Sequence, residues 1–317
     1  PAWDASMTES SILVTGGMGL VGRNLVERLR ADGYQVVATG SERDLLEADA
    51  ARELLREVRP KILFHLAARV GGIYANSTQK ARFYRDNVLI NTHVLDAAVD
   101  VGVEYVFAMG TGCAYPKRLE GDVLREEDYL DGVPEETNDA YAYAKRGMLV
   151  HLEALKDVGV LDFCYCLPAN LYGPHDNFHP VHSHVVPALI RRFVEAGEGG
   201  ASQVAIWGDG TARRDFLYVE DCVDAMIRLW EARVSGRVNV ATGEQTTVRA
   251  LAEAIKEASG YPGEITYDTS KPSGQQDRVF DVNKVAATGW TAAHTLKTGI
   301  VRAVDWFRSH RADFRER

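Results

Sequence analysis

The chain is 317 residues long, 46% hydrophobic and carries a formal net charge of -9. That length can bury a large core in one big domain or two. The acidic balance argues against general nucleic-acid binding, which needs clustered cations, though a few local arginines can still hold a small anionic ligand.

Pro1–Ser10 is polar and acidic, and reads as a disordered tail over residues 1–10 rather than a signal peptide. Ser11–Thr15 is a short β-branched run bounded by glycine. After it Leu20, Val21, Leu25, Val26 and Leu29 recur at helical spacing. Tyr34–Thr39 predicts a second strand, Ala48–Val58 a helix, Lys61–Leu66 a strand and Ala81–Val101 a long helix. Tyr105–Met109 predicts the next strand, Tyr141–Leu155 a helix and Phe163–Leu167 a buried strand. Strand and helix in alternation predict a doubly wound parallel sheet of Rossmann type, α/β in class. Past Tyr172 comes a loop rich in His, Pro and Asn, then a helix over Val186–Glu195. The remainder mixes short strands (Val204–Trp207, Val238–Ala241, Glu264–Tyr267) with helices (Val219–Trp230, Val248–Ser259, Thr295–His310). The expected division is a dinucleotide-binding domain over 11–172 plus about 219–243, and a smaller α+β substrate domain over 173–218 and 244–317. The site is expected in the cleft between them, at the carboxyl ends of the strands.

No run of 18 apolar residues appears, so no membrane span is expected. The four cysteines, Cys113, Cys164, Cys166 and Cys222, lack paired spacing, and Cys164 and Cys166 stand two apart along a strand. No disulfide framework is expected, and a reducing cytoplasm fits.

Gly16-Gly17-Met18-Gly19-Leu20-Val21-Gly22 follows the first strand and opens the first helix. Glycines there let the chain turn tightly and let a pyrophosphate approach bare N–H groups at the positive helix end. A glycine trio alone is weak; between a strand and a helix it predicts a dinucleotide. The second strand ends Ala38-Thr39-Gly40-Ser41-Glu42-Arg43. No acid stands on its last residues to meet a ribose 2′-hydroxyl, and Ser41 with Arg43 suits a 2′-phosphate, which favours NADP(H). Glu42 pulls the other way and keeps NAD(H) as the alternative.

Tyr141 and Lys145 lie at i and i+4 on one helix face. An ammonium beside a phenol favours the phenolate, and such a tyrosine can exchange a proton with a carbonyl or alcohol oxygen while hydride moves at the adjacent carbon. The spacing is common and usually structural. Behind a Rossmann-type half, with Thr111 on the loop after the preceding strand to bond the same oxygen, the catalytic reading prevails.

At this point the chain resembles the extended short-chain dehydrogenase/reductase superfamily from Ile12 to Phe307. His65-Leu-Ala-Ala-Arg-Val-Gly-Gly-Ile-Tyr-Ala-Asn76, Gly110-Thr-Gly-Cys-Ala-Tyr-Pro-Lys117, Glu136-Thr-Asn138, Asn170-Leu-Tyr-Gly-Pro-His-Asp-Asn-Phe-His-Pro180 and Ser183-His184 narrow the likeness. They are similar to the GDP-L-fucose synthase family, the GDP-4-keto-6-deoxymannose 3,5-epimerase/4-reductases. The resemblance implies an acid/base pair at Cys113 and His184, beside the Tyr141, Lys145 and Thr111 group. A 4-keto group acidifies the C3 and C5 hydrogens; a thiolate can take a proton and a histidine return one. Thr111 and Tyr141 would stabilise the enolate oxygen. Leu66, Ala67, Ala68 and Asn87 are expected on the cofactor side. For the sugar nucleotide the resemblance implies Asn170, Val185, Leu189, Arg192, Trp207, Arg214 and Arg278, with arginine forks for the pyrophosphate. The family also implies a homodimer through the helices at 81–101 and 141–155.

Cys164, Cys166 and Cys222 read as buried hydrophobes. His175, His179 and His182 read as loop-shaping residues, and no metal is expected. Gly112 stands where the family has serine, Ala114 where it has a larger aliphatic, and Gln275-Gln-Asp-Arg278 replaces a more basic run. These departures leave the substrate open between GDP-4-keto-6-deoxymannose and a related GDP-sugar. Rival readings are a GDP-colitose synthase, an enzyme that epimerises without reducing, and a non-catalytic dinucleotide sensor.

Overall fold

The computed structural model describes residues 11–117, 123–180, 182–270 and 279–314. The expected tail at 1–10 and Arg278 lie outside the described residues. Six strands form one sheet in the order Gly236–Val240, Asp162–Pro168, Tyr105–Met109, Ile62–His65, Ile12–Thr15, Val36–Thr39. Every neighbouring pair is parallel. Helices cover both faces, which is why these strands read as unbroken apolar runs. Cys164 and Cys166, two residues apart on one face of Asp162–Pro168, are both fully buried because helices cover the sheet. All four cysteines are free, and only Cys113 is exposed.

The strand order reverses direction between Ile12–Thr15 and Ile62–His65. At such a point the loops leaving adjacent strands diverge and open a crevice. Gly16 follows the first of these strands and Leu66 the second. Leu66 N–H donates to Thr15 O at 3.1 Å, so the two exits lie side by side.

The expected elements are present with small shifts at their ends. The second strand begins at Val36 rather than Tyr34. Tyr34 N–H closes the preceding helix on Leu29 O at 3.0 Å, and its ring packs edge-on against Trp230. The helices Ala48–Val58, Val219–Glu231 and Val248–Ser259 follow the pattern of their buried leucines, isoleucines and valines. Two three-residue strands were too short for any periodicity to announce. Asn170–Tyr172 and Phe216–Tyr218 pair in parallel, and they carry Asn170 to its position.

There are two apolar cores. The first joins the main sheet to its helices and includes Leu25, Phe64, Phe107, Leu149 and Trp230. The second gathers Leu189, Phe193, Ile206, Leu251, Ile255 and Phe307 from the helices Val185–Glu198, Val248–Ser259 and Leu296–Ser309 and the paired strands Gln203–Trp207 and Glu264–Asp268. His175 touches both parts. Its Nε2 lies 3.2 Å from Glu27 Oε1, and its ring meets Trp306 edge-on at 5.1 Å.

Candidate active site

The glycine loop is packed so tightly that side chains are excluded. Gly16 has φ +69°, and a Cβ there would stand 2.7 Å from Ala67 N. At Gly22 a Cβ would stand 2.2 Å from Gly16 O, so the first helix turn rests directly on the loop. Gly19 caps the helix Leu20–Ala31 without a side-chain bond, and no acid occupies the first turn. The amides of that end are therefore presented to an anion. Met18 is exposed beside them, while Leu66, Ala67 and Ala68 line the neighbouring strand exit, each half-buried. These features fit a dinucleotide: bare backbone for the pyrophosphate and apolar walls for the rings.

At the end of the second strand, Glu42 folds back on the chain. Its Oε1 accepts from Thr39 Oγ1 at 2.8 Å and from Gly40 N–H at 2.6 Å, and the Gly40 amide is the leading cause that lowers its pKa. The carboxylate is thus committed to the turn. Ser41 is exposed, and Arg43 is half-exposed with Nη2 on Glu57 Oε2 at 2.6 Å, a surface pair weak enough to be exchanged for a phosphate.

Tyr141 and Lys145 share the inner face of the helix Asp139–Asp157. Lys145 Nζ donates to Met109 O at 2.8 Å and sits 6.0 Å from the Tyr141 ring centroid. Burial lowers the Lys145 pKa to about 8. Burial likewise raises the Tyr141 phenol above its ordinary value, and the nearby Cys113 adds to the rise. The sequence pattern suggests an ammonium pulling the phenol toward neutrality. Here desolvation outweighs that pull, because the ammonium is turned onto a carbonyl. A phenol kept protonated is the form that donates.

The turn Gly112–Ala114 carries Cys113 outward into solvent. Thr111 precedes it in extended conformation, and its Oγ1 accepts from Cys113 N–H at 3.2 Å, which leaves the hydroxyl hydrogen to donate elsewhere. The turn packs against the helix Asp139–Asp157, the helix that carries Tyr141 and Lys145. His184 stands at the start of the helix Val185–Glu198. The residue is exposed as a whole, yet protein atoms surround its ring closely enough that desolvation lowers its pKa. A lowered pKa makes the imidazolium a stronger donor. The segment before it lies against the loop after the third strand: a Cβ on Gly72 would be 3.5 Å from Ser183 O.

Other expected residues are placed as follows. Asn87 is fully buried and bonds Arg69 N–H, Arg69 O and Phe83 O, so it pins the loop at 66–72 from behind. Asn170 Nδ2 donates to Asp215 O at 2.9 Å, which fixes its amide. Leu189 is buried in the second core, while Val185 and Trp207 are exposed. Arg192 Nη1 donates to Ala205 O at 2.7 Å, and Arg214 Nη1 to Arg213 O at 2.5 Å. Sequence reasoning missed a buried polar relay. Ala67 N–H reaches Thr15 Oγ1 at 3.4 Å, Thr15 Oγ1 meets His65 Nδ1 at 2.8 Å, and His65 Nε2 meets Asn91 Oδ1 at 3.1 Å. Desolvation, helped by Lys145, pushes the His65 pKa down to about 3, so the ring is neutral. Its partners stand 50 and 26 residues away, and no spacing rule joins them. Among the described residues no cluster of His, Cys, Asp or Glu could hold a metal ion.

Residues 12–241 match the NAD dependent epimerase/dehydratase family. GDP-L-fucose synthase 1 of Arabidopsis thaliana is 38% identical over 309 residues, spanning 96% of this chain and 95% of that protein. GDP-L-fucose synthase of Escherichia coli K12 is 35% identical over 98% of this chain and 100% of its own length. The crystal structure of a GDP-L-fucose synthetase from Naegleria fowleri bound to NADP superposes with a TM-score of 0.88 at 30% identity, covering 98% of this chain and 96% of that one. The chain belongs to the NAD dependent epimerase/dehydratase family, among its GDP-L-fucose synthases. Against other members of the synthase group its Gly112 has a local cause. A Cβ at Gly112 would stand 2.6 Å from Phe280 Cζ and 3.1 Å from Pro168 O, so the ring of Phe280 fills the space a serine needs.

Proposed function

We propose that the chain converts a GDP-4-keto-6-deoxy sugar to GDP-L-fucose or a close analogue, epimerising C3 and C5 and reducing C4 with NADPH. Residues 11–172 with 219–243 would hold the cofactor, and residues 173–218 with 244–317 the sugar nucleotide. The observation that supports the reading is the packing of the turn Gly112–Ala114 against the helix Asp139–Asp157, with Lys145 Nζ on Met109 O at 2.8 Å, because it brings the segment of the proposed acid/base thiol to the helix of the proposed reductase phenol.

Reduced nicotinamide supplies the hydride for C4. The protein does the rest. Gly16, Gly19 and Gly22 admit the pyrophosphate; Met18, Leu20, Val21, Leu66, Ala67 and Ala68 border the dinucleotide; Ser41 and Arg43 select the 2′-phosphate. Thr111 and Tyr141 donate to O4 of the sugar, so charge that develops there as a C–H bond breaks is met by fixed donors. Cys113, as thiolate, takes the proton from carbon on one face, and His184, as imidazolium, returns one on the other. After each inversion Cys113 gives its proton to water and His184 takes one back, so C5 and C3 are inverted in turn with no net change in protons. Tyr141 finally protonates O4 as hydride arrives at C4, and Lys145 holds the helix face toward that oxygen. Asn170, Val185, Leu189, Arg192, Trp207, Arg214 and Arg278 would serve the sugar nucleotide, with guanidinium forks on phosphate oxygens.

The working unit is proposed to be a homodimer in the cytoplasm. The helices Lys80–Val101 and Asp139–Asp157 pack side by side and leave Tyr84, Tyr143 and Val150 exposed on their outer surface. No helix among the described residues is long and apolar enough to cross a membrane.

The experiment is to follow reduced-nicotinamide absorbance with GDP-4-keto-6-deoxymannose, using NADPH and NADH in parallel. Oxidation of NADPH faster than NADH, with GDP-L-fucose as product, is expected. A protein that binds NADPH and never oxidises it with any GDP-4-keto sugar is a sensor; one that exchanges ring hydrogens without oxidation only epimerises.

A further inference from the structure

One buried cation has no part in the chemistry above. Arg146 follows Lys145 on the helix Asp139–Asp157 and is 6% exposed. Among the described residues no carboxylate forms an ion pair with it. Its guanidinium is aimed at three backbone carbonyls instead: Nε donates to Ala114 O at 2.9 Å, Nη1 to Gly132 O at 2.8 Å and Nη2 to Asp131 O at 3.2 Å. Tyr129 and Tyr143 flank it, with ring centroids 6.0 Å and 5.9 Å from Cζ. Burial lowers its pKa, the mark of a charge held where water is scarce. A charge this deep, with no ion pair among the described residues and only the Asp131 carboxylate to favour it at longer range, is costly to bury. What a guanidinium alone provides is a rigid fork of donors that reaches several carbonyls at once.

Those carbonyls identify what is being held. Ala114 ends the turn whose middle residue is Cys113. Asp131 and Gly132 belong to the segment behind that turn, where Lys117 N–H donates to Val133 O at 2.7 Å and Pro116 bridges to Pro134. The turn's own bonds are long. Ala114 N–H reaches Thr111 O at 3.2 Å and Tyr115 N–H reaches Gly112 O at 3.4 Å. Arg146 therefore clamps the front and the back of the cysteine turn to the helix that carries Tyr141 and Lys145. Lys145 does not depend on it, since Met109 O receives its ammonium and Tyr165 Oη donates to its carbonyl at 2.7 Å.

We propose that Arg146 is a positioning residue that sets Cys113 relative to Tyr141, and so sets how completely the sugar is epimerised before it is reduced. The proposal rests on the reading of Cys113 as an acid/base group. Proton removal from carbon by a thiol falls steeply with misplacement, whereas hydride delivery and protonation by Tyr141 meet the turn only at Thr111, ahead of its first residue. Reduction of the sugar before and after inversion gives alcohols that differ in configuration at C3 and C5. The product mixture therefore reports the balance of the two rates.

The test uses Arg146→Met, which keeps length and loses every donor, and Arg146→Lys, which keeps the charge and loses the fork. Deuterium incorporation at C3 and C5, NADPH oxidation and product configuration are measured on the full chain. In Arg146→Met the expected result is exchange lowered by about 10-fold or more, NADPH KM and oxidation rate within about 3-fold of wild type, and product shifted to the uninverted alcohol. Arg146→Lys is expected between the two. Exchange and reduction falling by one common factor, or an unchanged product ratio, overturns the proposal. Amide hydrogen exchange needs no substrate and is read on whichever variant folds. Faster exchange at residues 112–115 with the helix at 139–157 still protected is expected; unchanged protection, or loss throughout the chain, overturns it. Should wild type exchange no ring hydrogens with any GDP-4-keto sugar, the functional reading fails, and the amide measurement alone judges Arg146.

Discussion

At the scale of single residues, Gly112 shows how one ring decides a neighbour's identity. With Phe280 Cζ only 2.6 Å from the place of a Cβ, Gly112→Ser is expected to lose about 1–3 kcal/mol of stability by overpacking. Combining it with Phe280→Ala should lose less than the two changes summed, measured by denaturant unfolding; simple additivity contradicts the explanation. Lys145 makes a second case. In an unfolded chain lysine titrates near ~10.4, while burial brings Lys145 to about 8 here. Between those pH values the unfolded state holds the extra proton, so stability rises as pH rises through the window. Below about 8 the buried ammonium costs on the order of 3 kcal/mol, partly offset by its bond to Met109 O. Lys145→Met is thus expected to raise Tm at pH 7, with the gain shrinking toward pH 10. A variant less stable than wild type at pH 7 contradicts this reading.

At the scale of elements, the glycine loop and first helix act as one unit because nothing separates them. Gly22→Ala places a methyl 2.2 Å from Gly16 O, which is backbone and cannot rotate away. NADPH affinity is expected to fall by about 10-fold or more as the helix lifts off the loop; titration at wild-type affinity would falsify the proposed cradle. The strands and helices of the sheet were legible because burial on both faces leaves long apolar runs, and the helices because a 3.6-residue period survives in Leu54, Leu55, Leu251 and Ile255. Asn170–Tyr172 and Phe216–Tyr218 were not, since three residues carry no period. The positions of Cys113 and His184 in sequence came from resemblance, not from spacing. The Thr15–His65–Asn91 relay had no sequence signal at all, because hydrogen bonds between distant segments leave none.

At the scale of the molecule, the proposed site draws on both cores. Gly16, Thr111 and Tyr141 come from elements of the first core, and His184 opens a helix of the second. If the outer surface of the helices Lys80–Val101 and Asp139–Asp157 joins two copies, light scattering should give twice the 35.0 kDa chain mass. Val150→Asp should then return the monomer, and a wild-type monomer contradicts the dimer. The central claim is that the thiol of Cys113 and the phenol of Tyr141 perform separable steps on one bound sugar. The direct measurement is the mass of GDP-4-keto-6-deoxymannose recovered from D2O after incubation with Tyr141→Phe and with Cys113→Ser. Tyr141→Phe, which keeps Thr111 as a donor to O4 but cannot complete reduction, is predicted to return ketone labelled at C3 and C5, and Cys113→Ser to return it unlabelled. Equal labelling by both variants would contradict the account.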